Sequence, residues 1–205
     1  MKLLEFAICS AHQRHSVMTK HANIATGPAT HPDAWIKAWK FAADAHREQK
    51  VKGSDLPYLF HVGAVMMELL AAHNALPIED IDLAVTCAAL HDCMEDQGVP
   101  IEVLQREFGP RAAAGVEALT KRAALPKQEA MIDSLDRIRQ QPKAIWCVKL
   151  ADRIVNLAPP PAHWSAEKIT AYREEARVIL ASLGHAHEGL AARLEQKIHL
   201  YPAAA

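Results

Sequence analysis

The chemistry-bearing residues of this chain are concentrated in one short segment, Cys-Ala-Ala-Leu-His-Asp-Cys-Met-Glu-Asp at positions 87–96. Four of its side chains can bind a metal or transfer a proton, namely His91, Asp92, Glu95 and Asp96. The rest of the segment is apolar and helix-forming, and a second apolar stretch, residues 145–152, ends in another acid, Asp152. An ionised carboxylate on a buried helix face costs several kcal/mol unless it is paired or bound to a metal. The pattern therefore predicts a metal site.

The spacing within this segment predicts a shared face. On a single α-helix the first and third of the four residues, four positions apart, lie on one side, and so do the second and fourth. Asp152 and Asn156 are likewise four positions apart on a later apolar helix, and His61 stands near the start of an earlier one. We expect these segments to pack together, so that two imidazoles and two carboxylates converge.

This set of ligands suits a borderline or hard divalent ion such as Mn²⁺, Fe²⁺ or Zn²⁺. Four protein ligands leave positions on a six-coordinate ion open for water and substrate, and such a water becomes a nucleophile near neutral pH. Glu95 and Asp96 lie one turn beyond the histidine and aspartate, where they can orient and deprotonate that water. The expected chemistry is hydrolysis.

Length, composition and charge limit the class of protein. The 205 residues, half of them hydrophobic and 23% charged, can bury one sizeable core. Because 23 Lys and Arg face 24 Asp and Glu, no overall field draws the chain to nucleic acid or to an acidic membrane. No apolar run reaches the ~20 residues that span a bilayer.

The four cysteines form no CxxC pair, which favours free thiols in a reducing compartment. We therefore expect a cytoplasmic protein.

Helical periodicity begins at about residue 33. Asp33 is the expected cap of a first helix that runs to about residue 49. Further helices are predicted at 59–73, 78–94, 100–108, 110–121, 127–140, 143–157, 165–183 and 187–199. No stretch alternates with a period of two for long enough to predict a strand. We therefore predict an all-α, single-domain helical bundle over residues 33–201, preceded by an extension (1–32) and followed by a short tail (202–205).

These residues resemble the HD-domain hydrolases of the RelA/SpoT family, especially its stand-alone small alarmone hydrolases. The likeness covers about residues 35–200. The motifs that carry it are, in chain order, Phe41-Ala-Ala, His46-Arg47, Pro57-Tyr58 ahead of His61, Ala88–Asp96, Phe108-Gly109, Leu119-Thr120, Leu125–Lys127, Val148–Arg153, Asn156-Leu157, Trp164-Ser165 and Tyr172.

The resemblance implies a bundle of the HD-domain type that hydrolyses the 3′-pyrophosphate of the guanosine alarmones ppGpp and pppGpp, leaving GDP or GTP and pyrophosphate. It also implies one Mn²⁺ per chain, although the ligand set itself accepts other divalent ions. The implied metal ligands are His61, His91, Asp92 and Asp152, and the implied water-activating pair is Glu95 and Asp96. Positions that match substrate contacts are Asn156, Lys168 and Tyr172.

One departure from the family concerns substrate binding. Where the family usually carries an Arg-Lys pair that contacts the base and the phosphates, this chain is matched by Asp44-Ala45. An Arg-to-Asp exchange facing a polyanion costs several kcal/mol if it is unscreened. Either other cations hold the substrate, for which Arg47 and Lys121 are the expected contacts beside Lys50, Lys52 and Arg122, or the substrate is not the alarmone.

Three functions stay open at this point: alarmone hydrolysis, the same chemistry on another nucleotide such as NADPH or a nucleoside triphosphate, and nucleotide sensing without turnover. The intact Glu95 and Asp96 disfavour sensing. No histidine occurs from Cys93 to Ala151, which disfavours a two-metal site. The expected partner is a small-molecule nucleotide, and the oligomeric state stays open, a homodimer included.

Overall fold

The computed structural model describes residues 31–202, and these residues are helical with no β-strand, which confirms the predicted all-α fold. The helices are α1 (Pro32–Ala45), α2 (Leu59–Ala75), α3 (Ile81–Leu90), α4 (Cys93–Gln97), α5 (Ile101–Leu119), α6 (Lys127–Arg139), α7 (Lys143–Asn156), α8 (Ala166–Leu183) and α9 (Glu188–Leu200), with a 3-10 turn at Gly184–Ala186. The predicted extension (1–32) and tail (202–205) lie almost wholly outside the described residues. Within the described range, no helix is long and apolar enough to cross a membrane.

Several predicted helix boundaries are wrong, and the first helix shows why. Pro32 occupies its first turn, so α1 begins before Asp33, which lies in that turn instead of capping it. The helix ends at Ala45, and the chain then forms a loop that is closed by an isolated bridge between Lys50 and Pro57. This loop, residues 46–57, brings its side chains to the end of the bundle where His61 lies.

The predicted helix at 78–94 is in fact two helices. Asp80, in the left-handed region with φ 56°, begins α3 and accepts a hydrogen bond from the Leu83 N–H. The chain leaves the helix after Leu90, and Asp92, with φ −104° and ψ 0°, begins α4. His91 and Asp92 therefore form a corner between two helices, and the four polar residues do not share the face of one helix.

Two helices form the inside of the bundle. In α3 the residues from Leu83 to Leu90 are buried except for Thr86, and in α7 ten of the fourteen residues are buried. A helix that is apolar on nearly all sides must be covered on all sides. Helices α1, α2 and α5 pack on α3, while α2, α8 and α9 pack on α7. The polar ends of α3 and α7 are thus held at the end of a closely packed core. Three cysteines, Cys87, Cys93 and Cys147, are buried free thiols there; Cys9 lies outside the described residues.

A glycine of α5, Gly115, lies where the core leaves no room for a side chain. A Cβ atom on Gly115 would lie 2.6 Å from Ile145 Cδ1 and 3.0 Å from Cys87 Sγ. Replacing glycine by alanine inside a helix stabilises the helix by about 1 kcal/mol. Forcing a methyl group into a packed core, however, costs about 1–3 kcal/mol. We expect Gly115→Ala to lower the free energy of unfolding, as measured by urea denaturation. Ile145→Val removes the nearest atom, so the double variant should lose less than the two single variants together. Unchanged or higher stability of Gly115→Ala would contradict the packing described.

Candidate metal centre

Four polar side chains from three helices converge at one end of the bundle. The Nε2 atoms of His61, from α2, and His91, from the α3–α4 corner, are 3.4 Å apart. Asp92 Oδ2 lies 2.9 Å from the His91 Nε2 atom and 3.8 Å from that of His61. Asp152 Oδ1, from α7, lies 3.5 Å and 3.8 Å from His61 Nε2 and His91 Nε2, respectively. The structure therefore brings together all four predicted ligands, with the two histidines and Asp152 buried.

These distances fit one divalent ion. With metal–ligand bonds of about 2.1 Å, adjacent ligand atoms of an octahedral or tetrahedral ion lie about 3.0–3.5 Å apart. The ligand atoms of His61, His91 and Asp92 all lie within 4.8 Å of one another, while Asp152 stands outside that group and approaches it through the two histidines. The hydrogen bond from His91 Nδ1 to the Ala88 carbonyl, 2.8 Å long, keeps the proton on Nδ1 and directs the Nε2 lone pair at the centre. Such a backbone partner is typical of a metal-binding histidine.

Both carboxylates also accept hydrogen bonds from neighbouring side chains. Lys149 Nζ, itself buried, donates to Asp152 Oδ2 at 3.0 Å, and Asn156 Nδ2 donates to Oδ1. The Tyr58 hydroxyl donates to Asp92 Oδ2. These partners fix the orientation of both carboxylates before any ion binds, which lowers the cost of assembling the site.

The electrostatics of the centre favour added positive charge. Burial by itself lowers the pKa of His91, but the charge of Asp92, its hydrogen bond and the charge of Asp152 outweigh burial and raise that pKa to about 9. Burial by itself raises the pKa of Asp152, yet Lys149 and the two histidines hold it well below its usual range. Both pKa shifts show that the negative charge of the carboxylates dominates the centre, so that a cation is attracted to it. A divalent ion meets that need and displaces the His91 proton.

The two predicted water-activating acids lie beside this centre, on α4. Both are exposed, and each is held by a residue outside its own helix. Glu95 accepts hydrogen bonds from the backbone N–H of Lys121 at 3.0 Å and from its Nζ at 2.8 Å. Asp96 Oδ2 accepts from Gln49 Nε2 at 2.7 Å. Their proximity to the ligands comes from the corner at Asp92, whose carbonyl accepts the Asp96 N–H at 2.9 Å, and not from one continuous helix face.

A cleft of about 240 Å³ opens directly onto the centre. Of the five predicted substrate contacts, three line it, namely Lys121, Asn156 and Tyr172. The other two do not. Arg47 lies in a separate depression and pairs with Asp44, and Lys168 is exposed, with its Nζ 4.1 Å from the centre of the Trp164 ring.

Three further cations, which belong to the motifs named above but were not predicted as substrate contacts, line the same cleft. They are Lys127, Lys149 and Arg153. Arg153 is buried, lies 4.4 Å from the centre of the Tyr172 ring and pairs with Glu175 at 3.5 Å. Glu175 also pairs with Lys127 at 2.7 Å. The Lys149-Leu-Ala-Asp152-Arg153 sequence could have indicated two of them, because their positions flank a predicted ligand.

A second, larger cavity adjoins the first and shares four lining residues with it, Tyr58, Asp96, Asn156 and Tyr172. Its wall is largely aromatic and proline, including Phe60, Pro159–Pro161, Trp164 and Tyr201. Lys50 and Lys52, from the loop after α1, stand at this cavity. Asp44 and Ala45 lie instead in the separate depression with Arg47. The acid at position 44 therefore does not line either cavity at the centre, whereas Lys50 and Lys52 line the second one.

A family model described as the HD domain matches residues 38–189. The chain belongs to the HD domain family. This HD domain is similar to the guanosine-3′,5′-bis(diphosphate) 3′-pyrophosphohydrolase MESH1 of Danio rerio, with 29% identity over 166 residues that cover 78% of this chain and 90% of that protein. The MESH1 protein of Homo sapiens is also 29% identical, over 81% of this chain and 92% of its own length. These matches confirm the resemblance that the motifs indicated.

A solved structure of a metazoan orthologue of SpoT that hydrolyses ppGpp is similar to this HD domain in its fold. The TM-score is 0.71 at 26% sequence identity, over 85% of this chain and 97% of that one. The similarity extends over almost the whole of the other chain.

Removal of one ligand should abolish metal binding. We expect Asp92→Ala to weaken binding of Mn²⁺ by more than about a hundredfold, since changes to groups behind the ligands already cost 10–100-fold in affinity. Isothermal titration of the metal-free protein measures this, with Asp136→Ala on α6 as the matched control, because Asp136 is exposed and pairs with the exposed Arg139. Equal metal affinity in the Asp92 variant and the control would show that the ion binds elsewhere.

Proposed function

We propose that this HD domain removes the 3′-pyrophosphate of the guanosine alarmones ppGpp and pppGpp, giving GDP or GTP and pyrophosphate, with one Mn²⁺ per chain. The observation that carries the proposal is the four-ligand centre with both acids beside it, in a chain that is similar over 78% of its length to an enzyme named for this reaction. Borderline imidazole and hard carboxylate ligands suit Mn²⁺, and other divalent ions fit the same set.

When bound, the ion supplies Lewis-acid polarisation of the phosphoryl group and lowers the pKa of a bound water. The protein supplies the proton acceptors. Glu95 and Asp96 are exposed to the cleft and carry carboxylates that can take the proton of the attacking water and orient its lone pair. Their hydrogen bonds to Lys121 and Gln49 hold each carboxylate in place.

The cations of the cleft suit a polyphosphate. Burial lowers the pKa of Lys121, but its bond to Glu95 and the nearby Asp152 raise it above its ordinary value, so Lys121 is charged at neutral pH. Lys127 and Arg153 face the same cleft from α6 and α7. Since the described partners of all three are carboxylates, a phosphate group competes with Glu95 and Glu175 for them. Phosphate oxygens accept strong charge-assisted hydrogen bonds from such groups.

The second cavity is where we place the nucleoside. Its aromatic and proline wall provides apolar surface on which a base can stack, and base–aromatic stacking contributes about 1–3 kcal/mol per base. Lys50 and Lys52 at its edge supply the cations that position 44 lacks. Arg47 and Lys168 stay candidates for contacts made at the rim. Stacking is tolerant of the base, so the same chemistry on NADPH or a nucleoside triphosphate is the alternative function.

Product analysis decides between these substrates. Purified, Mn²⁺-loaded protein is incubated separately with ppGpp, GTP and NADPH, and the products are resolved by anion-exchange chromatography. We expect GDP and pyrophosphate from ppGpp and little change in the other two. Turnover of GTP or NADPH alone would replace the alarmone with the alternative substrate. Retained nucleotide binding without turnover would make the protein a sensor.

Loss of one acid separates catalysis from metal binding. Glu95→Gln keeps the shape of the side chain but removes the proton acceptor, so we expect kcat to fall by about 10²–10⁴-fold with metal content unchanged. Steady-state kinetics and elemental analysis measure the two effects. The matched control is Glu174→Gln on α8, where the carboxylate is exposed and pairs with Arg177. A fully active Glu95→Gln enzyme would remove Glu95 from the mechanism.

A further inference from the structure

Asp96 is held by a side chain that lies 47 positions earlier in the chain. Its Oδ2 atom accepts the 2.7 Å hydrogen bond from Gln49 Nε2, in the loop that follows α1. A carboxylate on the exposed first turn of a five-residue helix has several rotamers of similar energy. The amide of Gln49 selects one of them and thereby directs the remaining oxygen lone pairs of Asp96.

The orientation of the Gln49 amide is itself determined by two donors. His46 Nδ1 lies 2.6 Å from Gln49 Oε1, and Gln97 Nε2 donates to the same oxygen. With Oε1 engaged in this way, the NH₂ group must face Asp96. If the amide were reversed, its oxygen would face a carboxylate and its NH₂ group would face a donor, so both contacts would be repulsive.

His46 can act as a donor only if its proton is on Nδ1. The ring is buried, and its other nitrogen, Nε2, lies 3.6 Å from Cys93 Sγ. A thiol is a hydrogen-bond donor, so at this distance Cys93 can donate its S–H to Nε2. The contacts form one chain of donors, from the Cys93 S–H to His46, from the His46 N–H to Gln49, and from the Gln49 N–H to Asp96.

We propose that His46, acting through Gln49, is a positioning residue that holds the Asp96 carboxylate in the orientation in which it receives the proton of the attacking water. Cys93 selects the tautomer of His46 that makes this possible. The inference rests on the proposed hydrolytic function for its kinetic consequence, but the tautomer and the amide orientation are properties of the protein alone. His46 does not line the cleft and is not a catalytic residue.

His46 could also matter only for packing, and the experiment must distinguish that role from the positioning of Asp96. Its ring also packs on Tyr58, with ring centres 4.9 Å apart, and the Tyr58 hydroxyl donates to the metal ligand Asp92. His46→Phe keeps an aromatic ring against Tyr58 but removes both ring nitrogens. His46→Asn loses the ring but places an amide N–H near the position of Nδ1. The two variants therefore divide packing from hydrogen bonding.

The first measurement is the histidine tautomer. A long-range ¹H–¹⁵N spectrum of the metal-free protein distinguishes Nδ1–H from Nε2–H rings, and the His46 signals are identified by their loss in His46→Phe or His46→Asn. We expect the Nδ1–H tautomer for His46. An Nε2–H ring would overturn the proposal, because Gln49 would then have to reverse. This result does not depend on the substrate, so it stands apart from failure of the proposed function.

The second measurement is steady-state kinetics with ppGpp. We expect His46→Phe to lower kcat by about 10–100-fold, the usual effect of removing a group that orients a catalytic one, while KM and metal content stay within about twofold. His46→Asn should recover most of the lost kcat. The matched control, His185→Phe, alters an exposed histidine that contacts Trp146 and should leave kcat unchanged.

Three results would overturn the proposal. An unchanged kcat in His46→Phe would show that Asp96 needs no support from this chain of donors. A loss of metal or of thermal stability that accounts for the loss of activity would make His46 a structural residue. Failure of His46→Asn to recover kcat, with its fold and metal intact, would show that the Nδ1 donor is not what matters. If the unmodified protein does not hydrolyse ppGpp, the function proposed above fails, and the tautomer still tests the inference.

Discussion

Two ionised carboxylates and two imidazoles are held together at the end of a closely packed helical core, and the rest of the molecule is arranged around that constraint. Asp152 is buried on α7, where a lone carboxylate would cost several kcal/mol. Its charge is offset by Lys149, Asn156 and the facing histidines. The lowered pKa of Asp152 and the raised pKa of His91 both follow from the attraction between the carboxylates and nearby positive charge. The same attraction favours the binding of a divalent cation.

That constraint explains why the inner helices are so apolar. Helices α3 and α7 carry the ligands His91 and Asp152 at one end, and the bundle must keep those ends at a fixed separation of a few ångströms. Tight packing through small residues, such as Gly115 against Ile145, removes the freedom that would let them drift. The precision of the metal centre is thus a consequence of core packing, because interiors at crystal-like density do not deform continuously.

The acids that would activate water are held differently. Glu95 and Asp96 are exposed, on a short helix, and receive their orientation from Lys121 and Gln49. In a hydrolase the metal ion must stay bound, whereas protons and phosphate groups are exchanged in each turnover. It therefore suits a hydrolase that the packed core holds the metal ligands, while separate side chains orient the two acids. The loop after α1 therefore contributes to both parts of the site. Gln49 binds Asp96, and Lys50 and Lys52 line the adjoining cavity.

The sequence by itself determined the all-α fold and the identity of the four side chains that meet at the candidate metal centre. It could do so because burying a polar group in an apolar helix costs free energy unless that group is paired or bound. Residue type and helical periodicity show which polar groups are buried in this way. It placed those residues on one helix, however, whereas His91 and Asp92 form a corner between two. It also matched Asp44 to a substrate contact, although Asp44 lies in a separate depression with Arg47.

Only the tertiary structure decided these points, because each depends on contacts between residues far apart in the chain. Where α1 ends determines that Lys50 and Lys52, and not Asp44, lie at the cavity beside the centre. The bond from Gln49 to Asp96 spans 47 positions, and the bond from His187 to the Leu76 carbonyl spans 111. Local pattern reports which face of a helix is apolar, but it carries no information on which distant loop will be packed against that helix.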